Sequence, residues 1–252
     1  MKIAFIACLF ILPLVSSYTQ EKSVPFVIGE WPPYTSINLN GYGLASEIVF
    51  SACKAAGMKA EFTFYPWKRA ELSILKGKFF ATFPYLKLPE RVPFFYFSDP
   101  LFKSEIVIIK SRKNPSVRNF QYTDINSLKG FKTGTTTGSV SITGPLRRNS
   151  IECEETPVID QSILKLYLGR IDLVIDEKIV IIDAVKRLYP DKAGNFEISV
   201  KNYLSNSDYR LIVSRKYPDS TAILKLFNEG LEKIRSNGIY QEIYRKFDIK
   251  QE

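Results

Sequence analysis

Residues 80–102 read FATFPYLKLPERVPFFYFSDPLF. Residues 79–83 form a short apolar run with the character of a buried strand, and Leu88-Pro89-Glu90 is a good start for a helical turn. That turn delivers Arg91. A guanidinium is a planar fork able to form two parallel, charge-assisted bonds to a carboxylate. The stretch therefore reads as a strand, a turn and a candidate anion-gripping side chain.

Outward from it, short β-like runs alternate with helical ones, which predicts an α/β fold class. Upstream, residues 24–29 read as a first strand, broken by Trp31-Pro32-Pro33-Tyr34. Residues 44–56 have helical spacing and stop at Gly57; residues 60–65 alternate as a strand; residues 68–76 form a helix closed by Gly77. Downstream, residues 106–109 are a strand. Leu128-Lys129-Gly130 opens a second unit, with a strand at Lys132-Thr133 and a turn rich in Gly, Thr and Ser over residues 134–141. Strands at 151–155 and 173–175 alternate with helices at 161–168 and 179–188, and residues 209–213 are again a strand. Two amphipathic helices finish the chain, one spaced by Ile223, Phe227, Leu231 and Ile234, the other by Tyr240, Ile243, Tyr244 and Phe247. No Pro/Gly/Ser linker divides the halves, which suits two lobes with short crossings.

The N-terminus has Lys2, an apolar run over residues 3–15 and the small residues Val15-Ser16-Ser17. That predicts a secretory signal peptide over residues 1–17, because the run is shorter than the roughly 18–20 residues that cross a bilayer. A buried first strand is the alternative. Cys8 lies inside the apolar run and no Cys stands at the cleavage point, so no lipid anchor is expected. No later segment is long and apolar enough to span a membrane. Cleavage would leave about 235 of 252 residues, enough for one large domain or two modest ones.

The chain has no His, which removes His-based nucleophile activation, His acid–base work and most zinc sites. No metal or cofactor is expected. Cys53 shares the apolar face of a predicted helix with Ile48, Val49, Ala52 and Ala56, so a buried small hydrophobe is favoured over a disulfide partner. Lys and Arg total 35 against 26 Asp and Glu, a net charge of +9. The charges are scattered and of mixed sign, which predicts a solvated surface with a mild bias toward anionic ligands and no nucleic-acid partner.

Six segments, in order and spacing, resemble the extracellular solute-binding proteins of family 3, the type II periplasmic binding proteins of polar amino-acid ABC importers. They are GEWPPYTS (29–36), GYGLASEIVFSACKAAG (41–57), the opening stretch, LKGFKTGTTTGSV (128–140), GRIDLVIDE (169–177) and FNEGLEKIRSNGIYQEIYRKF (227–247). The resemblance implies a two-lobed type II fold, each lobe a mixed sheet flanked by helices. Lobe 1 would comprise residues 18–103 plus 209–252 and lobe 2 residues 106–203, with hinge crossings at 103–105 and 204–208. Cys53 and Cys153 would then sit in different lobes as structural thiols. The function implied is capture of a small, amino-acid-like or carboxylate ligand in the periplasm for an ABC permease, by a monomer that closes about its hinge and catalyses nothing.

The same resemblance places the ligand-binding residues. Arg91 matches the arginine that grips a ligand carboxylate. Trp31 stands where an aromatic ring covers the ligand's side chain, Tyr85 lies at the strand end leading to Arg91, and Trp67 lines the cleft or packs in the core. Gly138 and Ser139 match the bend whose backbone N–H groups and hydroxyl meet the carboxylate from the other lobe. Glu177 aligns with an acidic residue that receives the α-amino group; its neighbour Asp176 is the alternative. The chain departs from the amino-acid binders at Pro84, Leu86 and Val140, where hydroxyl residues are common, and at Glu177, where Asp is usual. Ordinary α-amino-acid recognition is therefore put in question. Two other functions remain open: a cyclohexadienyl-dehydratase-like enzyme using Glu177 or Asp176 as general acid, and a binding module for a sensor partner.

Overall fold

The computed structural model describes residues 21–199 and 201–247; the expected signal segment lies outside the described residues. The chain begins with β1 (Lys22–Ile28), α1 (Leu44–Ala55), β2 (Met58–Phe64), α2 (Trp67–Leu75) and β3 (Ala81–Leu86). β1 pairs in parallel with both β2 and β3, an arrangement that requires the crossovers α1 and α2 supply. A 3-10 turn (Pro89–Arg91), β4 (Phe95–Phe97) and the long β5 (Phe102–Ser111) follow.

The second unit runs β6 (Thr133–Thr136), α3 (Val140–Arg148), β7 (Cys153–Thr156), α4 (Ile159–Tyr167), β8 (Leu173–Glu177), α5 (Lys178–Leu188) and β9 (Phe196–Ile198). β6 lies between β7 and β8, parallel to both. β10 (Leu204–Ser214) then returns to pair antiparallel with β3, β4 and β5, and α6 (Ser220–Ser236) and α7 (Ile239–Lys246) complete the chain.

Hydrogen bonding joins the strands in the order β2-β1-β3-β10-β5-β8-β6-β7. The two lobes are thus connected through a ladder, β10 against β5, rather than through loops. That ladder is irregular between Leu204 and Ser207, opposite Ile106 and Ser104.

Burial explains why these segments are strands and helices. Every residue of β3 and of β8 is buried, as expected of sheet strands covered on both faces. α1 buries Leu44, Ala45, Ile48, Val49, Ala52 and Cys53. α6 approaches α1 so closely at Gly230 that a Cβ there would run into the Ala52 carbonyl. Cys53 and Cys153 are both free thiols, and burial pushes the Cys53 thiol up to about 12. They are packing groups, as their surroundings in sequence suggest.

Several boundaries differ from the sequence reading: the strands read at 106–109 and 209–213 run over Phe102–Ser111 and Leu204–Ser214, so the expected crossings at 103–105 and 204–208 lie within strands, and two further differences bear on the site. β3 extends three residues further, through Leu86, and carries Pro84 and Tyr85 within it. Pro84 has no N–H to give the ladder, and the register against β10 shifts in that interval, between Tyr85↔Arg210 and Thr82↔Ile212. The Gly/Thr/Ser turn of residues 134–141 is largely ordered into β6 and the start of α3, with Ser139 as the N-cap.

Candidate functional site

A cavity of about 610 Å³, counting its mouth, opens between the two units. All eight residues singled out from the sequence line it. Trp31, Trp67, Tyr85 and Arg91 form one wall; Gly138, Ser139, Asp176 and Glu177 form the other. Ile106 of β5 and Tyr209 of β10 lie at its base, among the strands that join the units.

Each ring on the first wall is held by local structure. The Trp31 carbonyl accepts from the backbone N–H groups of Tyr34 (2.9 Å) and Thr35 (3.0 Å), closing a turn just after β1. Its ring lies 5.4 Å from that of Tyr209. Trp67 begins α2 and donates its Nε1–H to the Glu30 carbonyl at 3.2 Å. It rests directly on Gly29, where a Cβ would stand 2.5 Å from the indole. The Tyr85 ring meets Trp67 edge-on at 5.7 Å.

Arg91 closes this wall. It is only 8 % exposed, and its Cζ sits 4.7 Å over the Tyr85 ring. A guanidinium carries five N–H donors, yet among the described residues Arg91 makes one hydrogen bond, from Nη1 to the Leu86 carbonyl at 3.4 Å. Glu71 Oε2 stands 3.9 Å from Nη2, half-exposed and beyond hydrogen-bond reach. A buried cation with donors to spare faces the cavity.

The second wall is the opposite case. Asp176 accepts from Thr136 N (3.1 Å), Thr136 Oγ1 (2.7 Å), Thr135 Oγ1 (3.4 Å) and Glu177 N (2.8 Å). Burial raises its carboxyl from the ordinary value, and these donors oppose the rise. Glu177 caps α5, accepting from Val180 N at 2.8 Å; it also accepts from Tyr34 OH at 3.0 Å and from the Ser104 hydroxyl at short range. Burial pushes the Glu177 carboxyl up to about 7, again against its hydrogen bonds. Both acids border the cavity, so the choice between them does not arise as one facing in and one facing water.

The bend at Gly138 and Ser139 is placed as expected but wired differently. Thr137 N–H donates to the Thr156 carbonyl (2.8 Å), Gly138 N–H to Glu155 Oε2 (3.3 Å) and Ser139 N–H to the Thr136 carbonyl (3.2 Å). Those amides hold β6 to β7 and start α3, and are not aimed at a ligand. Val140 N–H also turns back, to the Gly138 carbonyl (2.8 Å). The hydroxyls of Thr137, Ser139 and Ser141 border the cavity without a side-chain partner among the described residues.

The sequence reading missed Tyr34, Ser104 and Tyr209. Tyr34 is 1 % exposed and stacks on Phe102 at 4.5 Å, carrying its hydroxyl to Glu177 on the other unit. It stands inside the WPPY segment, so the signal was present, but nothing in spacing said that its ring turns inward. A second hollow of about 2120 Å³, counting the open space at its mouth, lies beyond Tyr34 and Ser104, lined by Phe102, Lys103, Tyr240 and Tyr244.

Comparison with known proteins accords with this geometry. A probable histidine-binding protein of Neisseria gonorrhoeae is 25% identical over 228 residues, covering 88% of this chain and 81% of the relative. Among solved structures, the GluR0 ligand-binding core from Nostoc punctiforme in complex with L-glutamate superposes with a TM-score of 0.74 at 23% identity, covering 88% of this chain and 98% of that one. A histidine kinase sensor domain with similarity to periplasmic binding proteins gives 0.76 at 20% identity, covering 90% and 96%. Residues 26–250 match the profile of the bacterial extracellular solute-binding proteins, family 3, and the chain belongs to that family.

Proposed function

We propose that this protein works in the periplasm as a non-catalytic monomer, closing its lobes over one small carboxylate ligand and presenting it to an ABC importer permease. The observation that carries the reading is Arg91: buried, stacked on Tyr85, with most of its donors uncommitted and facing a cavity that both units line. A buried guanidinium held only by one long carbonyl bond and a Glu71 carboxylate 3.9 Å away keeps donors for a ligand, and a ligand carboxylate is the complement its geometry selects. Trp31, Trp67 and Tyr85 supply broad, stiff faces for the body of the ligand. Ser139 and its neighbouring hydroxyls close from the opposite wall.

The lobes are taken as residues 18–103 plus 209–252 and residues 106–203. The irregular pairing between Leu204 and Ser207 supports bending at the crossings 103–105 and 204–208. The name of the gonococcal relative supports an amino-acid-like ligand. A thermal-shift screen of amino acids, small peptides and carboxylates tests the reading, because a ligand that binds only the folded state raises the melting temperature by mass action. A carboxylate that stabilises the native protein and not Arg91→Ala is expected. Stabilisation only by uncharged compounds would refute it.

One observation favours a second reading. A buried carboxyl held near 7 is matched to general-acid work at neutral pH, and Glu177 is such a group inside the cavity. A cyclohexadienyl-dehydratase-like activity would use it. Incubation with prephenate or arogenate separates the two: turnover supports the enzyme, and unchanged substrate supports the binder.

A further inference from the structure

Three parts of the molecule meet on one carboxylate. Glu177 ends β8 and caps α5, its Oε2 accepting from Val180 N at 2.8 Å, so the side chain is fixed to the second unit. Its Oε1 receives two hydroxyls from elsewhere: Tyr34 OH at 3.0 Å, and the Ser104 hydroxyl of β5 at short range. Ser104 lies in the expected crossing 103–105, and Tyr34 belongs to the first unit. Tyr34 and Glu177 are each only 1 % exposed.

Tyr34 is held as firmly on its own side. Its carbonyl accepts from Ala45 N–H (2.9 Å) and the Pro33 carbonyl accepts from Leu44 N–H (3.0 Å), which ties this loop to the start of α1. Its ring lies 4° from the plane of Phe102, with centroids 4.5 Å apart, and Trp31 packs 5.0 Å away. The phenol hydroxyl is therefore carried by the first unit and the carboxylate by the second. Among the described residues, no other side-chain hydrogen bond or ion pair runs between residues 21–103 or 209–247 and residues 106–203. A hydrogen bond is lost beyond about 3.5 Å or when strongly bent. Rotating one lobe away from the other would break this one. Both partners are protein groups, so forming the bond requires no ligand.

Resting on the reading of this chain as a protein whose lobes close over a ligand, we propose that Tyr34 is a positioning residue: its hydroxyl latches the first lobe to Glu177 of the second and draws the two cavity walls together ahead of ligand binding. The ring packs the loop, and the hydroxyl alone supplies the latch. One net hydrogen bond of this kind changes an open-to-closed ratio about fivefold. That is enough to bias a near-balanced equilibrium and too little to trap the lobes shut.

Small-angle X-ray scattering tests this on the mature protein, unfolded and refolded to strip any co-purified solute. The native chain is compared with Tyr34→Phe, Glu177→Ala and the double variant, each checked for folding by circular dichroism. Tyr34→Phe should show a larger radius of gyration than the native chain, with the fitted open-to-closed ratio raised about fivefold. Adding Tyr34→Phe to Glu177→Ala should produce no further rise, because the hydroxyl has already lost its partner. A tyrosine with a merely structural role would lower the melting temperature and leave the radius of gyration where it was. An unchanged radius in Tyr34→Phe overturns the inference, as does a further rise in the double variant. No ligand enters the measurement, so such a result leaves the binding reading to the thermal-shift screen.

Discussion

The two walls of the cavity are both polar and both buried, yet they are built on opposite principles. On the first, Arg91 uses one of its donors on the protein and keeps the rest. On the second, Asp176 and Glu177 are held by neighbouring hydroxyls and amides, Asp176 by four bonds and Glu177 by three. An unsatisfied buried group is a reservoir for ligand binding; a satisfied one is a brace. On the proposed reading, the contrast puts the ligand's anchor on the first wall and bracing on the second.

The largest effect expected is from removing the unsatisfied group. Arg91→Ala should weaken carboxylate binding by about 2–5 kcal/mol, some thirtyfold or more, as for loss of one partner of an enclosed charge pair. Its circular dichroism should be unchanged. An unaltered dissociation constant would erase the distinction between the walls.

The second wall should show itself in stability rather than affinity. Glu177 has a folded-state pKa of about 7 against an ordinary 4.5, so the folded state binds its proton more tightly than the unfolded state. Its contribution is fully present below pH 4.5 and is lost as pH rises through 7, a fall on the order of 3 kcal/mol. Denaturant midpoints measured across that window should decline with pH, and Glu177→Gln should flatten the decline. A profile that rises through the same window would contradict a Glu177 pKa raised by burial.

Two smaller substitutions sharpen the contrast. Gly29→Ala places a methyl against the Trp67 indole; the shifted ring should cost about 1–3 kcal/mol of stability and change the fluorescence of the free protein. An unchanged spectrum would mean that Trp67 is not held by Gly29. Tyr34→Phe removes one of three donors to Glu177 and should cost about 1 kcal/mol. It should also move the pH midpoint upward, since that hydrogen bond lowers the Glu177 pKa.

Much of this was legible in the sequence for definite reasons. Glycines after apolar helical runs marked the ends of α1 and α2: Gly57 and Gly77 both adopt positive φ, 70° and 74°. Arg91 was legible because a proline-led turn placed it after a buried run. The wiring of the second wall was not. Whether Gly138 offers its N–H to a ligand or to Glu155 depends on a side chain 17 residues away on the next strand. Tyr34 meets Glu177 across 143 residues of chain. Such contacts arise only when the strands that join the two units bring them together, and no local pattern records them.

The most direct test of the account is a crystal structure with a bound carboxylate drawn from the thermal-shift screen. The carboxylate should lie about 2.7–2.9 Å from the Arg91 guanidinium nitrogens, the usual range for such charge-assisted bonds, with the ligand's body between Trp31 and Trp67. A ligand seated instead in the hollow beside Tyr240 and Tyr244, or one whose charged group bypasses Arg91, would contradict it.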